Sequence, residues 1–170
     1  LMRVVVGFCA FTGVVLSATQ GPMLVGEQAL AWGLMAQAMA GTVWIGDRNF
    51  GIWSVVAQAL RHHQDVVVRM TQSRTNRLTR GRKWVSGQDE EVEWRRTKHD
   101  KIAPGTEDVQ VKGRLIYVQV RREGRLIDLW LFTTLMNREE FPVERLVELY
   151  GWRWQAEVDF RYVKTVLELH

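Results

Sequence analysis

The chain has 170 residues, 46% of them hydrophobic, which is enough for one domain with a hydrophobic core. Its formal net charge of +4 suits a nucleic-acid partner without requiring one. The single cysteine, Cys9, excludes an internal disulfide and favours a reduced, cytosolic compartment.

An apolar run at residues 4–16 begins the chain and has two interpretations. It resembles the core of a signal peptide followed by small residues, although it is too short to span a bilayer. Alternatively, strands at 2–11 and 14–19 meet at a tight turn at Thr12-Gly13, which suits the β-branched content. The residues alone leave both open, so a secreted or membrane-anchored protein built on this segment stays a hypothesis.

Alternating helices and strands are predicted up to residue 70. Residues 27–40 read as a helix with Leu30, Leu34 and Met35 inward, and residues 42–46 as a short apolar strand that ends at Asp47. A second helix is predicted at 52–62 and a third strand at 65–70. This order predicts an α/β fold in which the hairpin and the two later strands share one mixed sheet, with helices packed on it.

A polar segment from residue 73 to about 107 interrupts this pattern, with only short strand-like pieces. Basic side chains without any acid among them cluster at its start, and Trp84 and Trp94 follow. A solvated loop is one interpretation, and contact with DNA phosphates, with aromatic stacking on bases, is the other. The basic residues are Arg69, Arg74, Arg77, Arg80, Arg82 and Lys83.

The last third of the chain predicts a hairpin and a helix. Apolar residues alternate over 109–121 and 125–135, and Glu123-Gly124 joins the two strands. Pro142 can occupy a first helical position, and residues 143–169 contain no further proline.

This final helix carries the most informative pattern, Y-x2-R-x3-E-x6-K, at Tyr150, Arg153, Glu157 and Lys164. At about 100° per residue, the four side chains project within about 60° of one another. A carboxylate among three cationic or hydrogen-bond-donating groups suits a divalent cation held beside phosphates. The alternative is an ordinary amphipathic helix with a solvated charged face.

The pattern, with Trp154 directly after the arginine, resembles the signature of the insertion-sequence-four group of DDE transposases. Two other stretches agree with this resemblance. Residues 42–50 are similar to the family's apolar strand that ends in Asp-Arg-Gly-Tyr/Phe, with Asn49 where glycine is usual. Residues 129–134 are similar to its last strand before the signature helix.

The resemblance implies a ribonuclease-H-like mixed sheet with flanking helices and a β-rich insertion before the last helix. The division it implies is a core in two parts, residues 1–72 and 136–170, with the insertion at 73–135. Asp47 and Glu157 would be catalytic ligands of Mg²⁺ or Mn²⁺. Arg153 and Lys164 would grip phosphates, with a hydrogen bond from Tyr150.

Two tryptophans are further candidates for contact with DNA. Trp154, and Trp130 by its match to the strand before the helix, would stack on an unpaired base at the transposon end. Packing in the core is the alternative for both.

The family's first catalytic aspartate has no counterpart, because Asp47 is the first aspartate and Glu27 the only acid before it. We therefore expect a piece of a longer protein or a decayed element, inactive by itself. The predicted function is DNA cleavage and strand transfer at insertion-sequence ends into target DNA, with a non-catalytic DNA-binding remnant as the alternative. The resemblance also implies a homodimer in the synaptic complex, a bacterial cytosolic, nucleoid-associated location and no membrane.

Overall fold

The structure, a computed structural model, describes residues 2–122 and 124–153. The strands are β1 (Met2–Phe8), β2 (Val15–Pro22), β3 (Val43–Gly46), β4 (Asp65–Arg69), β5 (Gln88–Trp94), β6 (Val111–Arg122) and β7 (Arg125–Thr133). The helices are α1 (Glu27–Gln37), α2 (Trp53–Arg61), α3 (Gln72–Thr79) and α4, which comprises residues 143–153. This mixed α/β architecture is consistent with the expected ribonuclease-H-like fold.

A five-stranded mixed sheet in the order β3-β4-β7-β6-β5 forms the centre of the molecule. Strand β3 pairs with β4 in parallel, and the other neighbours are antiparallel. On β4, Val66 and Val68 enter a core with α2, whereas Val67 enters the opposite core with Leu146 and Tyr150 of α4. The three central residues of this strand are all valine because both of its faces are covered.

The hairpin β1–β2 forms a sheet of its own, so the prediction that it shares one sheet with the strands at 42–46 and 65–70 is wrong. A cavity of about 1200 Å³ separates the two sheets, lined by consecutive residues 5–8 of β1 and 43–46 of β3. Consecutive residues line a strand's edge rather than one face. Along these edges the two sheets are therefore not hydrogen-bonded to each other.

The hairpin interpretation of the apolar run is nevertheless confirmed, since residues 2–8 and 15–22 pair antiparallel. Helix α1 packs on this hairpin, where the Thr19 hydroxyl donates to the carbonyl of Leu30 at 2.9 Å. Within residues 2–122 and 124–153, no helix is both long and apolar enough to cross a membrane.

The segment expected to be a polar loop contains helix α3, whose buried positions are the threonines Thr75 and Thr79. Their hydroxyls donate to carbonyls one turn earlier, Thr75 to Gln72 at 2.8 Å and Thr79 to Asn76 at 3.4 Å. Because these hydroxyls are satisfied within the helix, they can be buried without a polar partner from another element. Hydrophobic periodicity therefore does not reveal this helix.

The predicted insertion, residues 73–135, contains β5, β6 and β7. Strand β7 pairs with β4 of the preceding segment, so these strands extend the same sheet. The division at residues 72 and 135 stays a prediction.

Candidate active site and nucleic-acid interface

Asp47 lies at the carboxyl end of β3, beside the carboxyl end of the parallel strand β4. Its backbone carbonyl accepts hydrogen bonds from the amides of Phe50 and Gly51, at 3.0 and 3.1 Å. A Cβ on Gly51 would collide with the carbonyl oxygen of Arg69, so only glycine lets this turn approach β4 so closely. The half-buried Asp47 thus stands on a tight, well-packed turn, where a side chain is held in a fixed position.

The side chain of Asp47 is oriented by its own turn. Its Oδ1 accepts a hydrogen bond from the backbone amide of Asn49 at 2.7 Å. In the described residues, the only non-glycine positions with positive φ are His63 and Arg80. Asn49, at the position where glycine is usual, therefore does not use a left-handed backbone, and its side chain instead bonds to Glu27 and Gln28 of α1.

Helix α4 covers the face of the sheet on which Tyr150 is fully buried. The guanidinium of Arg153 donates to the Tyr150 hydroxyl at 3.2 Å and lies 5.3 Å from the ring centre. Burial raises the pKa of Tyr150, the charges of Arg153 and Arg69 lower it, and the Asp47 carboxylate raises it. Asp47, Arg69 and Arg153 therefore all lie within electrostatic range of Tyr150.

Of the four signature residues, Tyr150 lies within electrostatic range of Asp47, and Arg153 contacts Tyr150. These two residues are not both on the surface. Tyr150 is buried and Arg153 is half-buried. Trp154, Glu157 and Lys164 lie outside the described residues, so the approach of Glu157 to Asp47 stays a prediction.

The metal expected at this site can be compared with the side chains present. Within the described part of the chain, no group of three or more His, Cys, Asp or Glu side chains is placed to hold a metal ion. Asp47 supplies one carboxylate, the hard oxygen ligand that Mg²⁺ and Mn²⁺ prefer. One such ligand does not make a site, so no reaction step is derived through a metal.

A basic groove of about 680 Å³ lies between α3 and β5. Arg77 and Arg80 are exposed on its α3 side, and Glu91 and Glu93 lie on its β5 side. Its arginines are Arg74, Arg77, Arg80, Arg82 and Arg95. Four of these are among the predicted DNA contacts; Arg95 was missed, because it lies far from the basic cluster in sequence and only the sheet brings it near.

The groove arginines differ in their existing contacts. Half-buried Arg74 donates to the carbonyl of Arg48 at 2.9 Å, and Arg82 forms an ion pair with Glu90 at 2.7 Å. Arg95 lies 3.2 Å from Glu93. Lys83 is exposed in the connection between α3 and β5. Exposed cations beside a groove can contact a polyanion without breaking a buried interaction.

An aromatic cluster lies on the α2 side of the sheet. Trp130 stacks on Tyr117 with ring centres 4.5 Å apart, and Trp84 lies 5.3 Å from Trp130. Trp130 and Trp84 are half-buried, whereas Trp94 is buried and packs against Phe132. The core role of Trp94 is thus clear, and stacking of Trp130 on a DNA base stays a prediction.

Arg114 is a positioning residue that sequence reasoning missed. Its fully buried guanidinium pairs with Asp89 at 2.7 Å and donates to the carbonyls of Leu135 and Phe141 at 2.9 and 2.8 Å. These bonds fix the connection between β7 and α4. No local signal distinguishes Arg114 from an exposed strand arginine, because its partners lie 21 to 27 residues away in the sequence.

Fold and site together define an α/β domain with a carboxylate at a strand end and a basic groove. The chain belongs to the transposase DDE domain family, whose model matches residues 1–170. This family implies a role in transposition, DNA as a partner and the general use of divalent metal ions. No curated protein matches the chain.

Proposed function

We propose that the chain is part of the catalytic domain of a transposase of the insertion-sequence-four group, which cleaves DNA at element ends and transfers the strands into target DNA. The observation that supports this best is the placement of Asp47 on a fixed turn at the end of β3, within electrostatic range of Tyr150, which Arg153 contacts. These residues occupy the positions that match the family's motifs.

In this proposal, Asp47 and Glu157 are carboxylate ligands of Mg²⁺ or Mn²⁺. Such a metal would supply Lewis-acid chemistry at a phosphodiester, and these two carboxylates would hold it. Arg153 and Lys164 hold DNA phosphates, the first as a planar fork and the second as a point charge. The buried Tyr150 acts through its contact with Arg153, and it would need to become accessible to reach DNA itself.

The basic groove would guide the DNA backbone. Arg77, Arg80 and Lys83 are exposed, and Arg74 and Arg82 would add charge while keeping their present partners. Trp130 and Trp154 would stack on an unpaired base at the element end. Two chains would act together, because two element ends must be joined in one complex.

A non-catalytic DNA-binding remnant is the second candidate. It is favoured by the finding that the described residues around Asp47 include no cluster of three potential metal ligands. The groove would persist in such a remnant, since its arginines do not depend on a metal.

The test compares the wild-type chain with Asp47→Asn, Glu157→Gln and Arg77→Ala, and with the exposed surface control Asp108→Asn. Gel shifts on DNA carrying an element end report binding, Mn²⁺ titration followed by electron paramagnetic resonance reports metal affinity, and a nicking assay reports chemistry. We expect weak Mn²⁺ binding, because two carboxylates supply little of an octahedral shell. Both acidic-site variants should abolish it without weakening DNA binding.

The outcomes separate the two functions. Mn²⁺ binding or nicking that disappears in Asp47→Asn and Glu157→Gln, but persists in Asp108→Asn, supports the transposase site. DNA binding without any Mn²⁺ binding or nicking supports the remnant. If Asp47→Asn lost DNA binding and Arg77→Ala kept it, the basic groove would not be the DNA-binding surface. Both candidate functions assign DNA binding to that groove, so both would be contradicted.

A further inference from the structure

The turn at residues 47–49 is bonded to two helices that sequence analysis did not connect with it. From α3, Arg74 donates to the carbonyl of Arg48 at 2.9 Å. From the first turn of α1, Glu27 and Gln28 both bond to Asn49. Two neighbouring helices therefore help to determine where this turn lies.

Asn49 is the link between α1 and Asp47. Its Nδ2 donates to the carboxylate of Glu27, and its Oδ1 accepts from Nε2 of Gln28 at 2.8 Å. Nε2 of Gln28 also lies 3.3 Å from the backbone carbonyl oxygen of Asn49. Since both ends of the Asn49 amide are bonded, the residue is held in one orientation, and its backbone amide donates to Asp47 Oδ1 at 2.7 Å.

We propose that Glu27 and Gln28 are positioning residues that orient the Asp47 carboxylate through Asn49. The bond from Asn49 engages Oδ1 and restricts the rotation of the carboxyl group. This inference rests on the proposed role of Asp47. Glu27 and Gln28 contact neither the DNA nor a metal in this account.

The helix that provides these two residues is itself anchored. Its Leu30 and Ala31 are buried, and the Leu30 carbonyl accepts from Thr19 of the hairpin. Glu27 lies in the first turn, where the helix dipole favours a carboxylate. A site residue supported from a packed helix keeps its geometry better than one supported from a loop.

The side chain of Asn49 is what connects α1 to the turn that carries Asp47. The glycine usual at this position has no side chain and can keep only the backbone bond to the aspartate. With asparagine, α1 becomes coupled to the aspartate turn. The coupling should therefore disappear in Asn49→Gly even though the backbone bond can still form.

The first measurement tests the coupling without any metal. Hydrogen exchange of the Asn49 backbone amide, followed by NMR in the 170-residue chain, reports the bond to Asp47. Glu27→Ala and Asn49→Gly should accelerate exchange at position 49 at least about tenfold, whereas Glu27→Gln, which keeps an acceptor oxygen, should restore most of the protection. Glu144→Ala, an exposed acid of α4, is the matched control.

The second measurement tests the consequence for the ligand. Loss of a residue that orients a metal ligand typically lowers metal affinity about 10- to 100-fold. Glu27→Ala should therefore weaken Mn²⁺ binding by at least about tenfold, Glu27→Gln should weaken it less, and DNA binding and urea unfolding should stay unchanged. This pattern differs from simple destabilisation, which would also shift unfolding.

The results decide the two proposals separately. Unchanged exchange at position 49 in Glu27→Ala overturns the positioning role, whatever the metal result. Faster exchange with unchanged Mn²⁺ affinity also overturns it, since the bond would then exist without orienting the ligand. If neither the wild type nor Asp47→Asn binds Mn²⁺, the proposed function fails, and the exchange data still decide whether Glu27 orients Asp47.

Discussion

Two groups of arginines in this protein have opposite environments. Arg114 is fully buried and has four protein acceptors within hydrogen-bond distance, whereas Arg77 and Arg80 are exposed beside a groove. A buried guanidinium must have its donors satisfied, since an unpaired charge in the interior is costly. The exposed arginines can be hydrated by water instead, so their charges are available to a polyanion. The same residue type thus stabilises the fold where it is buried and can bind a ligand where it is exposed.

The largest effect is expected from removing the buried arginine. Arg114→Met should lower the free energy of unfolding by about 3–5 kcal/mol, because it leaves Asp89 and two carbonyls without their donor. Arg138, whose Nε lies 3.2 Å from Asp89 Oδ2, would still pair with Asp89 in this variant. The loss of stability should therefore be near the lower end of that range. Urea denaturation measures the change, and Arg77→Met, the exposed counterpart, should change stability by less than about 0.5 kcal/mol. Equal losses in the two variants would remove the distinction between the groups.

The exposed group should show the reverse behaviour in DNA binding. Arg77→Ala and Arg80→Ala should each lower the slope of log affinity against log salt by about 0.9, the value for one phosphate of duplex DNA. Fluorescence anisotropy with labelled DNA across salt concentrations provides the slope. Arg121→Ala, at the opposite end of β6 from the groove, is the control. A slope that falls equally in the control would show diffuse attraction rather than contact in the groove.

Arg153 is half-buried, so its exposure lies between those of the two groups. The variant Tyr150→Phe tests the hydrogen bond that Arg153 donates to the Tyr150 hydroxyl. Because burial raises the pKa of Tyr150 above its ordinary value of 10.0, this group stabilises the fold below pH 10, and that stability is lost as the pH rises further. The variant should lose about 0.5–1.5 kcal/mol at pH 8 from the missing hydrogen bond. It should also show a smaller decline in stability between pH 9 and 11.

Tyr117→Phe is the control for this measurement, because burial and Asp128 raise the pKa of that phenol too. Each variant should remove only its own part of the alkaline decline. Urea unfolding at several pH values measures both. An alkaline decline in Tyr150→Phe as steep as in the wild type would show that Tyr150 is not protected by burial.

Much of the local structure could be predicted from the sequence. The strand at 43–46 ending at Asp47, the helix at 53–61 and the hairpin joined near Gly124 all follow from apolar spacing and turn residues. Pro142 precedes α4, and its carbonyl accepts from the amide of Leu146 at 3.1 Å. Helix α3 could not be predicted in this way, because its buried residues are threonines that bond to their own helix.

The sequence by itself determined the apolar strands, the start of the last helix and the motif that places Asp47, Tyr150 and Arg153 in a transposase family, because each depends on neighbouring residues. Only the tertiary structure decided that β1–β2 stands apart from the main sheet, that Arg114 is buried, and that Asn49 bonds to α1. The partners in these contacts lie about 20 or more residues apart, as Arg114 and Asp89 do. Local periodicity carries no information about such pairs, since hydrogen bonding and burial depend on which segments the fold brings together.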